Sequence, residues 1–204
     1  FVFSATILER KARGLRTHAF FLDLKKAYDM VWHDGLFYKL HKKGVKAKTW
    51  RLIWDMYSKG ENSASLDGHV SAPFRLLQGV AQGDPMSCVL FNVMIDDLID
   101  TLERTHGADG VTLVPGAKNL VAQGYADDIS SPSGTRVGLQ RIINTYSSHL
   151  AHWKGVVNIE KSCTLTFHPD GAAVDAMGAP VADDGDGAWY WNGTPLPHIH
   201  KIKY

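Results

Sequence analysis

The chain holds 204 residues, enough for one sizeable domain or two small ones. Its 45% hydrophobic and 21% charged residues are the balance of a soluble globular protein, and no apolar run approaches the ~20 residues of a membrane span, so a membrane-spanning role is set aside. Net charge is only +1 but uneven: residues 9–51 carry 12 Lys/Arg against 4 Asp/Glu, a net of +8, and the remainder carries −7. A basic block beside an acidic remainder fits a polyanion on one side and cations on the other, or simply a solvated helical face. The two cysteines, Cys88 and Cys163, each sit in an apolar pattern and read as free buried thiols rather than a disulfide or metal pair. The N-terminus FVFSATILERKARG has neither an initiator Met nor a signal-peptide pattern and reads as the middle of a helix, so a fragment of a longer protein is expected.

Residues 2 to 13 read as a helix end with Phe3, Ile7 and Leu8 on one side. THAFFLDL, residues 17 to 24, reads as a strand buried on both faces, with Asp23 inside it. Asp34-Gly35 opens a helix through Lys43, and a second helix runs from about 47 to 58 with Trp50, Ile53, Trp54 and Tyr57 on its packing side. SASLDG and VSAPFRLLQG flank Asp67-Gly68 as a hairpin. Pro85 to about Arg104 is the clearest helix, with proline near the first turn and Gly107 after the end. Strands near 111–114 and 119–125 lead into Asp127-Asp128, and residues 135 to 153 form another helix that includes Val137, Leu139, Ile142 and Tyr146. CTLTF, 163 to 167, is a short strand. The Gly/Ala/Asp-rich stretch 168–187 reads as a mobile loop, and AWYWNGTPL as a hairpin around Asn192-Gly193. No internal repeat is present. The order of elements is an α+β pattern.

A strand ending in aspartate appears twice, in FFLDLKKAYD and in GYADDIS. If the two strands are neighbours, Asp23 and Asp127 or Asp128 converge on one spot. Two carboxylates 4 Å apart repel by about 4 kcal/mol at an effective dielectric near 20, so they share a proton or bind a cation. An all-oxygen site with an adjacent carbonyl suits Mg²⁺ or Mn²⁺ rather than zinc. Between the two strands lies LLQGVAQGDPMSCVLFN, residues 76 to 92, in which two Gln-Gly pairs precede a proline and a long helix. Its glycines permit close backbone approach and the helix start favours an anion; the alternative is an ordinary loop before a buried helix. Lys161, before the last apolar strand, is on its own an ordinary solvated turn residue. The pair His198 and His200 lacks a third nearby ligand and reads as two exposed imidazoles on a strand.

As an ordered set these segments resemble the reverse transcriptase domain of the kind found in non-LTR (LINE-type) retrotransposons and group II introns. FLDLKKAYDMVWHDGL is similar to the family's motif A, GVAQGDPMSCVLFN to motif B, YADD to motif C and NIEKS to motif D; WNGTPLPHIHKIKY is similar to the segment before the thumb. The resemblance runs from about residue 2 to residue 204. It implies a right-hand polymerase palm: an antiparallel sheet backed by helices, with partial fingers, the thumb missing and the fragment cut at both ends. It implies RNA-directed DNA synthesis, with an RNA template, a DNA primer and deoxynucleotides as partners, two Mg²⁺ (or Mn²⁺) ions, and an intracellular, nuclear setting; no targeting signal and no oligomeric state can be read.

The same resemblance implies the residue roles. Asp23, Asp127, Asp128 and Lys161 are the catalytic set. Asp23, Asp127, Asp128 and the Leu24 carbonyl are the metal ligands, with Asp128 nearer the primer-side ion. Tyr28 stacks under the incoming sugar and excludes a 2′-hydroxyl, and Gln82 and Gly83 contact the nucleotide. Lys25, Lys26, Lys39, Lys42 and Lys43 contact template phosphates, joined by Tyr125 and Ala126 as template or primer contacts. Arg10, Arg13 and Arg16 are either further phosphate contacts or solvated surface. The chain departs from motif B's commoner proline, serine and proline at Ala81, Asp84 and Cys88. A carboxylate at Asp84 is unfavourable near a nucleotide unless it points away. An RNA-dependent RNA polymerase shares the two-carboxylate palm but more usually has Gly before the aspartates, where this chain has Ala126. A non-catalytic, nucleic-acid-binding remnant is the reading from another class.

Overall fold

The computed structural model describes residues 2–112, 114, 116–169 and 188–199. The chain divides into two compact units, Phe1–Lys25 with Asp97–His152 and Val156–Tyr204, and Lys26–Asp96 with Trp153–Gly155. Among the described residues no helix is long and apolar enough to cross a membrane.

The first unit is built on β1 (Thr17–Leu22), whose continuous apolar run places it at the centre of a five-stranded sheet. β5 (Asp128–Ser133) and β6 (Cys163–Phe167) flank it, both antiparallel. β4 (Gln123–Tyr125) pairs with β5, and β9 (His198–Ile199) lies parallel to β6 at the far edge. Side chains alternate across the sheet. On one face Phe20 meets Tyr146 of α5 (Arg136–His152) at 5.6 Å between ring centroids, and Trp191 of the hairpin β7 (Tyr190–Trp191) and β8 (Thr194–Pro195) at 6.2 Å. On the other, Phe3 of α1 (Val2–Ala12) meets Phe21 at 5.5 Å and Phe167 at 6.5 Å. α5 buries Leu139, Ile142, Ile143, Tyr146 and Leu150, a stripe of helical period. Tyr146 and Ser131 share a buried hydrogen bond of 2.7 Å, while burial drives the Tyr146 phenol well above its ordinary range.

Several features differ from expectation here. β5 was not foreseen, and the strands expected at 111–114 and 119–125 reduce to β4 and a single bridge between Val111 and Leu120. The segment DISSPS has low strand propensity and contains a proline. Its pairing with β1 overrides that, and Pro132 lies past the last β4 pair, where the strand has only one neighbour. On the helices, Leu8 and Val137 point to solvent rather than into the core. The loop expected over 168–187 lies outside the described residues except for 168 and 169, and His200 lies outside them as well. His198 is not exposed: it stacks on Trp189 at 5.3 Å and its Nδ1 meets Thr164 Oγ1 at 3.0 Å.

Arg10 ties α1 to β1. It donates from Nε to Thr17 Oγ1 (2.7 Å) and from its terminal nitrogen to the Arg16 carbonyl (2.8 Å). Burial, and then the neighbouring Arg13 charge, push its guanidinium down to about 10. This is a structural buckle, which takes Arg10 out of the set of phosphate contacts.

A second polar cluster closes the far end of α4 (Pro85–His106), the helix that begins in the second unit and ends in the first. His106 donates from Nδ1 to Asp109 (2.9 Å), its Nε2 meets Thr145 Oγ1 (2.7 Å), and Arg141 pairs with Asp109. The Arg141 hydrogen bond, with help from His106, holds the Asp109 carboxyl below its ordinary 3.8 against the opposing effect of burial. Such a group contributes its full stability above the ordinary value and loses it as pH falls through the folded value. Asp109→Asn is therefore expected to flatten the acid limb of the stability curve below about pH 4, measured by denaturant unfolding. Coincident acid limbs for the two proteins would show that the cluster carries no such linkage.

The second unit packs α2 (His33–Lys42) on α3 (Ala47–Lys59) through aromatic side chains. Trp50 and Trp54 stack at 5.2 Å and both meet Phe37, and Trp50 Nε1 donates to the Phe37 carbonyl (3.1 Å). The hairpin at Asp67-Gly68 forms as read, with β2 (Ser65–Leu66) and β3 (His69–Val70) both exposed. The loop leading to α4 returns to the segment before α2: Gly79 N–H donates to the Val31 carbonyl and Val80 N–H to the Tyr28 carbonyl, each at 2.8 Å.

Candidate active site

In the first unit the β1–β5 register runs out to the pair Leu22 and Ile129, both buried in the core. Asp23 and Asp128 are the next positions outward on these adjacent strands. In a regular antiparallel ladder such positions lie about 5 Å apart, and alternation turns both away from the core face that Leu22 and Ile129 occupy. Asp23 is thus just past the strand rather than within it. Asp127 sits in the two-residue turn Ala126–Asp127 joining β4 to β5, with Ala126 at φ 53°. That left-handed value costs an alanine about 1–2 kcal/mol and presents Asp127 at the tip. Tyr125, Ala126, Asp127 and Asp128 are all exposed, so the paired aspartates escape the desolvation that a half-buried strand would impose. A cavity of about 670 Å³ adjoins this end of the sheet, lined among others by Phe3, Phe21, Tyr125, Asp128, Ser130 and Cys163.

Asp23 is held by its own backbone. Its N–H donates to Ser162 Oγ (3.0 Å), the Ser162 hydroxyl donates to the Asp23 carbonyl (3.4 Å), and Asn158 N–H donates to the same carbonyl (2.9 Å). Leu24 forms a bridge with Val157 whose hydrogen bonds run through Lys25 N–H and the Asp23 carbonyl, which leaves the Leu24 carbonyl out of the pairing. The donor set at this corner is therefore carboxylate and carbonyl oxygen, the chemistry of a hard divalent cation. Among the described residues no three His, Cys, Asp or Glu side chains gather as a metal cage. Lys161 is exposed in the turn just before Ser162.

Ser162, fully buried, is the residue the sequence did not single out. Its partner lies 139 residues away, so no local signal marks it. Ser162→Ala is expected to cost about 1–3 kcal/mol of stability for the unsatisfied Asp23 amide. Thermal melting checks this; an unchanged melting temperature would mean that the Asp23 backbone does not depend on Ser162.

The second unit carries Tyr28, Gln82 and Gly83. The Tyr28 ring stacks on Phe91 (4.8 Å, 16° between planes), and its hydroxyl donates to Cys88 Sγ at 3.8 Å. Gln82 Nε2 donates to Asp29 Oδ1 at 3.0 Å, and Gly83, at φ +87°, has open space where a side chain would stand. Asp84 has a structural role at the start of the helix. It is the N-cap of α4: Oδ1 accepts the Met86 N–H (2.9 Å), with Pro85 at the first helical position. Asp84→Ala should cost about 1 kcal/mol of stability by chemical denaturation, and Asp84→Ser much less. Equal losses would remove the capping role.

Two expectations need correction. Cys88 is exposed, because it lies at the flank of the buried stripe of α4 formed by Leu90, Phe91 and Met94. Lys39 is 5% exposed: its ammonium donates to the Met94 carbonyl (2.5 Å) and lies 4.0 Å above the Trp153 ring. Its charge is spent inside the unit, which removes it from the template-contacting set. Lys43 forms an ion pair with Asp96, and Lys42 lies over the Tyr38 ring at 5.6 Å. Both remain exposed, as do Lys25 and Lys26.

The chain is 27% identical over 190 residues to the RNA-directed DNA polymerase from mobile element jockey of Drosophila funebris, covering 90% of this chain and 18% of that protein. It is 31% identical over 144 residues to the Retrovirus-related Pol polyprotein from type-2 retrotransposable element R2DM of Drosophila melanogaster, covering 71% of this chain and 13% of that one. It therefore spans less than a fifth of the length of these relatives. Among solved structures, apo telomerase from Candida tropicalis superimposes with a TM-score of 0.61 at 16% identity, covering 85% of this chain and 35% of that one. A telomerase from the same organism in complex with a fragment of telomeric RNA gives 0.58 at 14%, covering 91% and 32%. These likenesses show the fold: an α+β right-hand polymerase, its mostly antiparallel sheet backed by helices. With residues 4–201 matching its family model, the chain belongs to the reverse transcriptase (RNA-dependent DNA polymerase) family.

Proposed function

We propose that this chain is the polymerase core of a retrotransposon reverse transcriptase that extends a DNA primer on an RNA template with deoxynucleotides. The observation that carries the reading is the corner at the ends of β1 and β5, where Asp23 and Asp128 follow the last sheet pair, Asp127 tips the adjoining turn, and the Leu24 carbonyl stands outside the pairing. These four residues would hold two Mg²⁺ or Mn²⁺ ions. When bound, such ions lower the pKa of the primer 3′-hydroxyl and neutralise the departing pyrophosphate.

The chain's own side chains supply the rest. Lys161 carries a positive charge to the phosphates. Tyr28 excludes the 2′-hydroxyl of a ribonucleotide, and Gln82 and Gly83 contact the nucleotide. Lys25, Lys26, Lys42 and Lys43 meet template phosphates, which makes binding sequence-independent and steeply weakened by salt. Tyr125 and Ala126 lie beside the primer end. In this reading the first unit acts as the palm and the second as the fingers-side part, and the work is done in the nucleus.

The test is extension of a DNA primer annealed to RNA, with deoxynucleotides or ribonucleotides supplied in turn. RNA-templated incorporation of deoxynucleotides supports the reading. Preferential ribonucleotide incorporation would replace it with an RNA polymerase, and binding without extension with a non-catalytic role.

A further inference from the structure

We infer that Cys88 and Phe91 are positioning residues that set the sugar selectivity of the enzyme through Tyr28. The inference rests on the reading of Tyr28 as the residue that excludes ribonucleotides. It concerns residues of the second unit alone.

Cys88 and Phe91 are three residues apart on α4, so they project from neighbouring positions of one helix face. They engage Tyr28 in two different ways. Phe91, 2% exposed, stacks under the ring at 4.8 Å and 16°, which fixes the plane of the phenol. Cys88 Sγ accepts from the phenol hydroxyl at 3.8 Å, which fixes where the ring's outer end points. The backbone of Tyr28 is fixed as well, because its carbonyl accepts the Val80 N–H at 2.8 Å. A phenol pinned at its backbone, its face and its hydroxyl cannot swing aside to admit an extra oxygen on the sugar.

Cys88 is exposed, so the contact lies at the accessible side of the ring. A proline, which the family more commonly carries here, could offer no acceptor side chain at all. The selectivity of this chain therefore draws on a contact that its departure from motif B created.

The experiment is single-nucleotide extension with each deoxynucleotide and its matching ribonucleotide, for the wild-type chain, Tyr28→Ala, Tyr28→Phe, Cys88→Ala, Cys88→Ser and the double variant Tyr28→Phe/Cys88→Ala. Tyr28→Ala should relax discrimination most. Cys88→Ala and Tyr28→Phe should each relax it by about 2- to 10-fold, the size of one hydrogen bond, through KM rather than kcat. The double variant should be no worse than either single one, because both remove the same contact. Cys88→Ser, which keeps an acceptor, should restore selectivity. Wild-type selectivity in Cys88→Ala beside a relaxed Tyr28→Ala would overturn the inference and leave the gate reading standing, as would additive losses in the double variant. Unchanged selectivity in Tyr28→Ala, or no extension by the wild-type chain, would remove the gate reading and the inference with it.

Discussion

Asp127→Asn is expected to abolish RNA-templated primer extension while the protein melts as the wild type does. The substitution keeps the shape of the side chain and removes the charge that would balance a divalent ion. Losing a few kcal/mol of transition-state stabilisation corresponds to a rate loss of about 10³-fold or more. Stability should hold within about 0.5 kcal/mol, because Asp127 is an exposed turn residue and asparagine is at home in tight hairpins. Extension assays and thermal melting of the two proteins side by side give the answer. Normal incorporation by the variant would sink the assignment of the YADD turn as the catalytic corner.

Gly79→Ala is expected to cause the largest loss of stability in the second unit. Gly79 sits at φ +90°, which by itself costs a non-glycine residue about 1–2 kcal/mol. A Cβ there would also lie 2.8 Å from the Asp29 carbonyl oxygen and 3.0 Å from the Asp29 Cα, both backbone atoms that no rotamer change can move. The strain would fall on the hydrogen bonds from Gly79 to Val31 and from Val80 to Tyr28, and on the 2.7 Å bond that His33 Nε2–H donates to the Gly79 carbonyl. A total near 3 kcal/mol corresponds to a melting temperature lower by roughly 6–12 °C in a protein of this size. Because these bonds join the motif A segment to the loop of motif B, nucleotide KM should rise with it. A variant as stable as the wild type would mean that the loop shifts freely and does not brace Tyr28.

The helices were legible because each carries its own signal. α3 has its aromatic stripe, α5 its buried residues at helical spacing, and α4 a proline at its first position. β1 was legible for the same reason, since a continuous apolar run admits few alternatives. β5 was not, because Ser130, Ser131, Pro132 and Ser133 acquire strand character only from the neighbour they pair with. The candidate aspartates could be found locally, as two short motifs; what the sequence could not give was the pairing that sets Asp23 and Asp128 on adjacent strands.

The misreadings have similar causes. Asp84 looked like a misplaced charge until the start of α4 made it a cap, although Asp followed by Pro before a helix is a signal that could have shown it. Lys39 looked like one more member of a basic block, yet its spacing from Leu36 on α2 places it over the buried stripe, where a long stem can be covered while its ammonium finds a carbonyl and an aromatic ring. Cys88 was judged by its apolar neighbours, when its helix face decides its exposure. Ser162 gave no sign at all, because its role exists only through a partner brought near by the sheet.

The most direct test of the central claim is Mn²⁺ binding followed by electron paramagnetic resonance in the presence of an RNA–DNA primer-template and a deoxynucleotide, for the wild-type chain beside Asp23→Asn and Asp127→Asn. The account predicts a bound-ion signal in the wild type that is lost or much weakened in both variants. Equal Mn²⁺ binding by all three proteins would contradict it, for then the carboxylates at the ends of β1 and β5 would not be what holds the ions.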